Sequence, residues 1–352
     1  MKTKLYTGIP LFLVILLVCT VVPPGAAENQ TLAPINMSQP YVYEIRDLSN
    51  PITESEIIDL RSNLISKQNH LFRSTEGDGP TLAYANPRIL DNGTIVAYGF
   101  YIDPEGTTHQ LIGVVNDESC IDDMYEIANQ WLENMSNEQN LLSSSDVQDG
   151  WDCFSQDDLY YEAEPYGLVE NNYELYRNIE EDDPDQDCYA VKQFFSMEPG
   201  FHRWREDNWS KWISESGFCW NDWSYAPNSL SSSLHNRQPF GTYVGPTTLQ
   251  LSLYPEPCMS WSLILDSVSI EDNSDPVTQT ARWDMSFNSA EAQKTIQGWR
   301  VGSSILADVP NVAGEYHLTR LYVDGKFVDP TSPWYDRQYR DLRTAWDFWV
   351  DY

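Results

Sequence analysis

The chain has 352 residues, of which 21 are Lys or Arg and 53 are Asp or Glu, so its formal net charge at pH 7 is −32. A surface this acidic repels nucleic acids and anionic membranes. It favours metal ions or cationic partners, or it acts only as a solvated coat that keeps the chain in solution. Acidity also suggests disorder, but 13% of the residues are aromatic, which argues against disorder.

The first 27 residues have the features of a secretory signal peptide. Lys2 and Lys4 give a positive start, residues 9–22 form an apolar run, and small residues up to Ala27 suit cleavage. The run of 14 residues is shorter than the ~20 needed to cross a bilayer, which argues against an uncleaved anchor. We therefore expect a protein that is secreted or held at the cell surface, with no membrane span after cleavage.

Five cysteines follow the signal peptide, and in an exported chain most of them are expected to be bridged. A bridge between Cys153 and Cys188 would close a loop of ~35 residues and stabilise the fold by ~3–4 kcal/mol. Cys219 is an alternative partner for Cys188 or for Cys258, and the spacing leaves the pairing open. There is no CxxC pair to indicate a zinc knuckle or a redox site.

Residues 28–50 are polar and contain prolines, which is typical of a flexible leader. Residues 51–140 predict a small α+β module with the order helix, hairpin, helix. Its first helix begins at a capping box formed by Thr53 and Glu56, and its hairpin surrounds a turn at 103–106. Small modules of this kind serve as propeptides in some proteins, which is an analogy of fold alone.

Residues 141–200 form an acidic segment with interspersed aromatic residues. Between 141 and 187, 15 of 47 residues are acidic, and Arg177 is the one basic residue. This composition predicts a connector between the module and the remainder of the chain.

A tryptophan-rich stretch follows at residues 201–223. It contains five of the chain's 13 tryptophans, namely Trp204, Trp209, Trp212, Trp220 and Trp223. Exposed indole rings stack on the apolar faces of sugars while nearby polar side chains bond the hydroxyls, so the stretch is a candidate glycan-binding surface. The alternative is that these rings are core residues, since a buried tryptophan covers a large apolar area.

Alternating apolar residues then predict short β-strands with one wet face each. The clearest are Leu249–Leu253, Met259–Leu265, Ala281–Phe287 and Tyr316–Val323, the last with a change of phase near Thr319. Short strands separated by turns predict an antiparallel β-sandwich or jelly-roll-like domain over residues 201–352.

The final residues predict a helix that docks on this domain. Apolar residues recur at helical spacing, at Tyr335, Tyr339, Leu342, Trp346 and Trp349. The arginines off this stripe either pair with the acidic surface or contact a partner. Before the helix, Asp324-Gly325 has the sequence of a hairpin turn.

Residues 249–287 also resemble a known group of proteins. The resemblance lies in the strand Leu249–Leu253, Trp261-Ser262, Asp275-Pro276, and Ala281-Arg282-Trp283 closed by Phe287. This is similar to a pattern in secreted β-rich proteins of methanogenic and halophilic archaea. The resemblance implies export and a β-rich domain, and it implies no activity and no catalytic residue.

Clustered carboxylates and sequons suggest two further kinds of site. Carboxylates suit the oxygen coordination of calcium, although the spacing here lacks the glycine and the final glutamate of an EF-hand. The candidate calcium ligands are Asp182, Asp183, Asp185 and Asp187, and the alternative is a solvated acidic loop. The candidate glycosylation acceptors are Asn36, Asn92, Asn134 and Asn208.

A hydrolytic site would need paired carboxylates or a nucleophile with a base. The carboxylates that flank the tryptophans are Glu198, Glu206, Asp207 and Glu215, and the nearest candidate bases are His202 and His235. No GxSxG elbow, HExxH motif, P-loop or dinucleotide fingerprint occurs in the sequence.

Together these patterns predict an α+β protein with an N-terminal helix–hairpin–helix module, an acidic connector and a C-terminal β-sandwich that ends in a helix. We expect a secreted or cell-envelope protein that binds a glycan or a cell-surface protein, or that has a structural role. Nucleic acid is not expected as a partner, and calcium is the one cofactor suggested. The alternative is a secreted glycosidase or peptidase with residues 28–140 as a propeptide, released by cleavage within 136–150.

Overall fold

A computed structural model describes residues 41–68, 81–104, 106–141, 150–181, 183–205, 209–255 and 258–352. Outside these ranges lie the predicted signal peptide, most of the predicted leader, and the candidate site residues Asn36, Asp182, Glu206, Asp207 and Asn208. Of the helices within the ranges, none combines the length and the apolar character that a bilayer span requires.

Strands dominate the described ranges, and helices are few. The helices are α1 (Glu54–Gln68), α2 (Ile121–Leu141) and the single turn α3 (Gly200–Arg203). The strands are β1 (Tyr41–Ile45), β2 (Thr81–Ile89), β3 (Thr94–Ile102), β4 (Thr108–Val115), β5 (Trp151–Ala163), β6 (Gly167–Asn178), β7 (Gln186–Pro199), β8 (Ile213–Asp222), β9 (Ser232–Gln238), β10 (Thr242–Val244), β11 (Thr247–Leu253), β12 (Met259–Leu265), β13 (Val268–Asp272), β14 (Thr280–Phe287), β15 (Gln297–Asp308), β16 (Glu315–Val328) and β17 (Tyr339–Asp351).

The strands form two large sheets and one small one. The eight-stranded sheet has the order β1-β3-β4-β5-β6-β7-β15-β9, and the seven-stranded sheet has the order β10-β13-β14-β8-β16-β17-β2. Strands β11 and β12 form a separate hairpin. Within the described ranges, the named strands pair antiparallel except β4 and β5, which are parallel. The β-rich, antiparallel architecture predicted for residues 201–352 is confirmed, and strands also dominate the earlier part of the described ranges, for which an α+β module and a connector were predicted.

The two large sheets pack face to face around one core. In β6, Asn171 Nδ2 donates to Thr344 Oγ1 of β17 at 3.2 Å, and the Tyr173 ring packs edge-on against Phe348 with ring centres 4.6 Å apart. Trp346 Nε1 of β17 donates to the backbone oxygen of Asn171 at 2.9 Å. Because these contacts join opposite sheets, the described strands belong to one compact unit.

Several local predictions are confirmed. Glu56 Oε2 accepts from Thr53 N at 2.9 Å, and Thr53 Oγ1 accepts from Glu56 N at 3.2 Å, which is the capping box at the start of α1. Strand β12 alternates strictly between buried and exposed residues. The register of β16 with β17 shifts between His317 and Thr319, which is the predicted change of phase.

The prediction of a separate N-terminal module is not supported. The helices and the hairpin are present as α1, α2, β3 and β4, but β4 pairs along its length with β5, and β2 pairs with β17. These strands therefore complete both sheets instead of building a second domain. The local pattern does not reveal this arrangement, because it depends on pairing with strands much later in the chain.

The predicted connector at 141–200 instead supplies β5, β6 and β7, which lie inside the eight-stranded sheet. Some of its tyrosines face the core, and some of its carboxylates lie on the outer face. Tyr161, Tyr173 and Tyr189 are buried in the core, whereas Asp158 and Glu174 are half-buried on the outer face. The acidic composition concealed a strand pattern because the outer face of these strands is polar.

The predicted C-terminal helix is wrong. Strand β17 occupies this stretch between β16 and β2, and Leu342, Trp346 and Phe348 are fully buried. Leu342 and Trp346 fit a period of two as well as a helical period. The stretch forms a strand because β16 and β2 hydrogen-bond to it on both sides. Asp324-Gly325 is not a hairpin turn either, since β16 runs through it.

The five cysteines of the described ranges are unpaired thiols. The predicted bridge between Cys153 and Cys188 is absent, because these residues lie on β5 and β7 with β6 between them. Two strand spacings place their Cα atoms ~10 Å apart, beyond the ~7 Å limit for a disulfide. Cys219 and Cys258 are also unpaired, and complete burial raises the pKa of the Cys219 thiol well above its usual value.

Candidate functional site

The five tryptophans of the predicted sugar platform do not share one surface. Trp223 is fully buried between the sheets, where its Nε1 donates to Ser303 Oγ at 3.0 Å. Trp212 is also buried, and it packs edge-on against Tyr166 with ring centres 4.7 Å apart. These two rings are core residues, as the alternative interpretation expected.

Trp220 lies on a different face from the others. It projects from β8 on the outer side of the seven-stranded sheet and stacks on Tyr322 of β16, with ring centres 4.4 Å apart. Phe218 joins this stack with its ring centre 5.5 Å from that of Tyr322. Stacking covers the faces that these rings turn towards one another.

Trp204 and Trp209 remain together at one end of the sandwich. They follow α3, and their rings lie 5.4 Å apart with their planes at 39°. Trp209 is 41% exposed, and Phe201 of α3 is also exposed, with Lys294 Nζ 5.4 Å from its ring centre. Phe201 N donates to the backbone oxygen of Trp212 at 2.8 Å, which fastens α3 to the segment that enters β8.

A second group of rings comes from the loop between β16 and β17. Val328 at the end of β16 pairs with Ile213 at the start of β8. This loop therefore leaves the sheet beside the segment that carries Trp209. Trp334 and Tyr335 in the loop are 83% and 73% exposed, with ring centres 5.8 Å apart.

Tyr339, the first residue of β17, completes the set. Its ring is exposed, and Lys326 Nζ lies 4.4 Å from the ring centre. The predicted helical stripe included Tyr335 and Tyr339 but not their place at this end of the fold, although Pro330 and Pro333 just before them favour a loop. We call this end of the sandwich the aromatic end, defined by Phe201, Trp204, Trp209, Trp334, Tyr335 and Tyr339.

An ion-pair network centred on Arg203 of α3 lies next to these rings. The guanidinium donates two N–H groups to Glu162 of β5, and it lies 3.0 Å from Glu198 of β7 and 3.5 Å from Asp123 of α2. His202 Nδ1 lies 2.7 Å from the other carboxylate oxygen of Glu198. The network fixes α3, and with it the neighbouring rings, to two strands and a helix.

Burial sets the electrostatics of this network. The Glu162 side chain is inaccessible to solvent, and desolvation raises the pKa of its carboxyl to about 7 in spite of the adjacent guanidinium. A carboxyl in this position cannot touch a substrate. Of the candidate catalytic residues, the structure brings Glu198 and His202 together, and their main role here is to hold Arg203 and α3 in place.

The other candidate catalytic residues are scattered over the fold. His235 is exposed on β9, at the edge of the eight-stranded sheet. Glu215 is half-buried on β8. Proximity to tryptophans in the sequence grouped residues that the fold separates.

The predicted calcium ligands do not converge in the described part of the chain. Asp187 is buried, and it accepts from Arg177 Nε at 3.2 Å and from Tyr352 OH at 2.8 Å. Asp183 and Asp185 are exposed in the preceding turn. No group of three or more His, Cys, Asp or Glu side chains is placed to hold a metal ion among the residues that the structure describes.

Two of the candidate glycosylation acceptors lie within the described ranges. Asn92 is exposed in the turn between β2 and β3, and Asn134 is exposed on α2. Both positions are accessible to a modifying enzyme in the folded chain.

Comparison with known proteins identifies no relative that bears on function. No protein-family model matches the chain, and no curated protein matches it. Among solved structures, the chain is similar to Clostridium perfringens delta-toxin with a TM-score of 0.27 and 9% sequence identity, over 55% of this chain and 86% of that chain. A similarity this low supports no conclusion about fold or activity, so the function has to be argued from the site.

Proposed function

We propose that this chain is a secreted or cell-surface protein that binds glycans through its aromatic end. The observation that carries the proposal is the exposure of rings from two neighbouring segments, namely Phe201, Trp209, Trp334, Tyr335 and Tyr339. Folded proteins bury most such rings, so several exposed rings at one end of a fold suggest a binding surface. Glycan is also the ligand class that the sequence predicts. Most of the rings proposed to bind it here lie outside the tryptophan set named from the sequence.

The arrangement of the rings narrows the kind of glycan. The apolar face of a sugar ring packs on an aromatic ring, while its hydroxyls bond polar groups at the rim. The ring planes of Trp204 and Trp209 differ by 39°, and those of Trp334 and Tyr335 differ by 86°. Rings that are not coplanar suit a soluble chain whose successive sugars turn, and they do not suit the flat face of a crystalline polysaccharide.

Retention on immobilised polysaccharides, followed by calorimetry with a retained soluble glycan, tests the proposal. Trp209→Ala and Trp334→Ala should each weaken binding about ten-fold, which corresponds to ~1.4 kcal/mol. Tyr225→Ala is the matched control, because Tyr225 is also exposed but lies at the opposite end of the sandwich. Unchanged binding in both tryptophan variants would contradict the proposal. Binding only to deglycosylated cell-surface protein would point to a protein partner instead.

A second candidate function is hydrolysis, which the contact between Glu198 and His202 next to the aromatic end favours. The Glu198 side chain is 13% exposed, so a substrate on the rings would have limited access to it. Glycoside hydrolysis requires a second accessible carboxylate, and the buried Glu162 does not supply it. If the chain is a hydrolase, Glu198→Gln should abolish cleavage of a retained glycan and leave its retention unchanged. Wild-type protein that leaves every retained glycan intact would exclude this function.

The hydrolase alternative includes a propeptide, and the pairing of strands weighs against it. Removal of residues 28–140 would take β2 from β17 and β4 from β5, and it would open an edge of each large sheet. Exposed sheet edges promote aggregation. We therefore expect the secreted protein to be one chain after signal cleavage. Mass spectrometry of the native protein tests this, and a fragment that begins within 136–150 would favour the hydrolase.

A further inference from the structure

A depression of about 390 Å³ lies on the outer face of the seven-stranded sheet, across β10, β13, β14 and β8. Its volume is near the lower end of the ~300–1,000 Å³ range of small-molecule sites. It borders the aromatic end, since its lining residue Ser216 pairs with Lys326, whose ammonium lies over the Tyr339 ring.

Small side chains produce this depression. Three serines occupy one row on adjacent strands, because Ser269 pairs with Ser286 and Ser286 pairs with Ser216. Ser269 Oγ and Ser286 Oγ are 2.6 Å apart. Phe218 stands beside this row, supported by its stacking on Tyr322. The result is a floor of hydroxyl groups with an aromatic ring as one wall.

Charged groups of both signs line the next rows. The guanidinium of Arg282 lies over the Phe218 ring, 5.0 Å from its centre, and Arg282 Nε donates to Asp284 Oδ1 at 3.0 Å. These contacts hold the guanidinium by its face and by one N–H. Glu271 is exposed and pairs with Asp284 across the strands. Asp284 Oδ2 also accepts from Asn273 Nδ2 at 2.8 Å. Asp284 is therefore already paired, and the exposed Glu271 carboxylate is the acceptor that a ligand hydroxyl reaches most easily.

We propose that this depression binds a single sugar residue of the neutral hexose type, as a subsite of the glycan surface, so the inference rests on the proposed function. Neighbouring sugar hydroxyls donate to carboxylates and accept from a guanidinium, which are the groups that Glu271, Asp284 and Arg282 present. The serine hydroxyls both donate and accept. The two carboxylates outnumber the one guanidinium in the lining, so an anionic sugar would meet net repulsion. A neutral sugar fits because its hydroxyls donate to Glu271 and accept from Arg282 at the same time.

Saturation-transfer NMR with the full chain tests this subsite. The probes are free glucose, galactose, mannose, N-acetylglucosamine and glucosamine, measured separately. At least one neutral hexose should receive saturation from the wild-type chain. In a chain that also carries Trp209→Ala and Trp334→Ala, which remove rings of the aromatic end, Ser286→Trp fills the depression and should abolish the transfer, and Glu271→Gln should weaken binding about ten-fold. Ser262→Trp is the matched control, because Ser262 is an exposed strand serine on β12.

The outcomes separate this inference from the proposed function. Trp209→Ala and Trp334→Ala should leave part of the transfer to the free hexose in place, even where they abolish retention on polysaccharide. Three results would overturn the subsite, whatever the retention assay gives. These are no transfer to any neutral hexose, transfer that survives both Ser286→Trp and Glu271→Gln, and transfer to glucosamine alone. Loss of transfer in Ser286→Trp supports the subsite on one condition. Glu271→Gln must also weaken the transfer while its melting temperature stays unchanged.

Discussion

The two ends of the sandwich are both formed by turns between strands, but their surfaces differ in chemistry. The aromatic end exposes rings such as Trp334 and Tyr335. At the opposite end, which we call the acidic end, the exposed residues in the turns or next to them include the carboxylates Glu180, Asp183, Asp185, Asp275 and Asp308. Tyr225 is exposed at the acidic end as well, but Arg320 covers one face of its ring, with the guanidinium carbon 3.4 Å from the ring centre.

The positions of the cations show what this difference means. At the aromatic end, Lys294, Lys326 and Arg340 each lie over an aromatic ring, so positive groups are mixed with the carboxylates there. Fields of exposed charges fade over ~8 Å at physiological salt. A ligand at the aromatic end therefore meets a locally mixed surface although the chain carries a net charge of −32.

The largest expected difference between the ends is in stability. At pH 8, Arg203→Leu leaves the buried Glu162 without its partner, and breaking a buried ion pair costs roughly 3–5 kcal/mol. Arg177→Leu at the acidic end should cost only about 1 kcal/mol, because Tyr352 OH still donates to Asp187. Urea unfolding of the two variants measures both losses. Equal losses would show that the Arg203 network has no special role.

The next effect is a dependence of stability on pH. The Glu162 carboxyl has a folded-state pKa of about 7 against 4.5 for the free group. Folding therefore favours its protonated form, and its contribution to stability is present below about pH 4.5 and lost as the pH rises through about 7. The loss at pH 8 is at most ~3 kcal/mol. Burial also raises the pKa of Asp157 to about 7 and that of Asp324 to about 6, with the same sign.

Urea midpoints at pH 5, 6, 7 and 8 measure this dependence. Stability of the wild-type chain should fall across the series, and Glu162→Gln should make the fall shallower without removing it. Asp183→Asn, at an exposed position of the acidic end, is the matched control and should leave the slope as it is. Stability that is constant or that rises towards pH 8 would contradict the assignment of protonated buried carboxyls.

A smaller effect separates binding from folding. Trp334→Ala should change the free energy of unfolding by less than ~0.5 kcal/mol, because the side chain is 83% exposed. Tyr225→Ala removes a cation–π contact with Arg320 and should cost ~0.5–1 kcal/mol. For glycan binding the order of the two effects is reversed. Trp334→Ala should weaken binding and Tyr225→Ala should not, because Trp334 belongs to the proposed site and Tyr225 does not. A Trp334→Ala variant that loses binding through partial unfolding would not support the site.

The smallest expected effect is that of divalent cations on the acidic end. Calcium and magnesium at equal concentration should each raise the melting temperature by no more than about 2 °C, equivalent to less than ~1 kcal/mol, because Arg177 already neutralises Asp187. A larger rise with calcium alone, reversed by EDTA, would support the calcium site predicted at 182–187. It would also give the acidic end a ligand of its own.

Sequence patterns predicted strands best where one face of the strand meets solvent. Strand β12 is the clearest case, with serines outside and Met259, Trp261 and Leu263 inside. Strand β17 was missed because its apolar residues fit a helical stripe as well as an alternation. Its pairing with β2, far away in the sequence, decides between the two, and no local pattern contains that information.

The candidate site could be predicted in part. The density of tryptophan in a segment reports how many rings it has, but not which side of a strand each one occupies. In the stretch around β8, Cys219 and Trp223 face the core whereas Phe218 and Trp220 face outward. The Arg203 network could not be predicted from the sequence either, because Glu162 and Glu198 come near each other only when β6 lies between β5 and β7.

The pairing of β2 with β17 has a consequence for the order of folding. Arg88 of β2 binds Asp347 of β17, 259 positions later in the sequence. The seven-stranded sheet is therefore incomplete until residues near 350 have been synthesised, and contacts of such long range make folding slow. Ribosomes add ~5–20 residues per second, so the nascent chain spends many seconds without this closing contact. If the chain is exported as proposed, the delay keeps it unfolded until nearly its whole length is made. An unfolded chain can pass through a translocation channel.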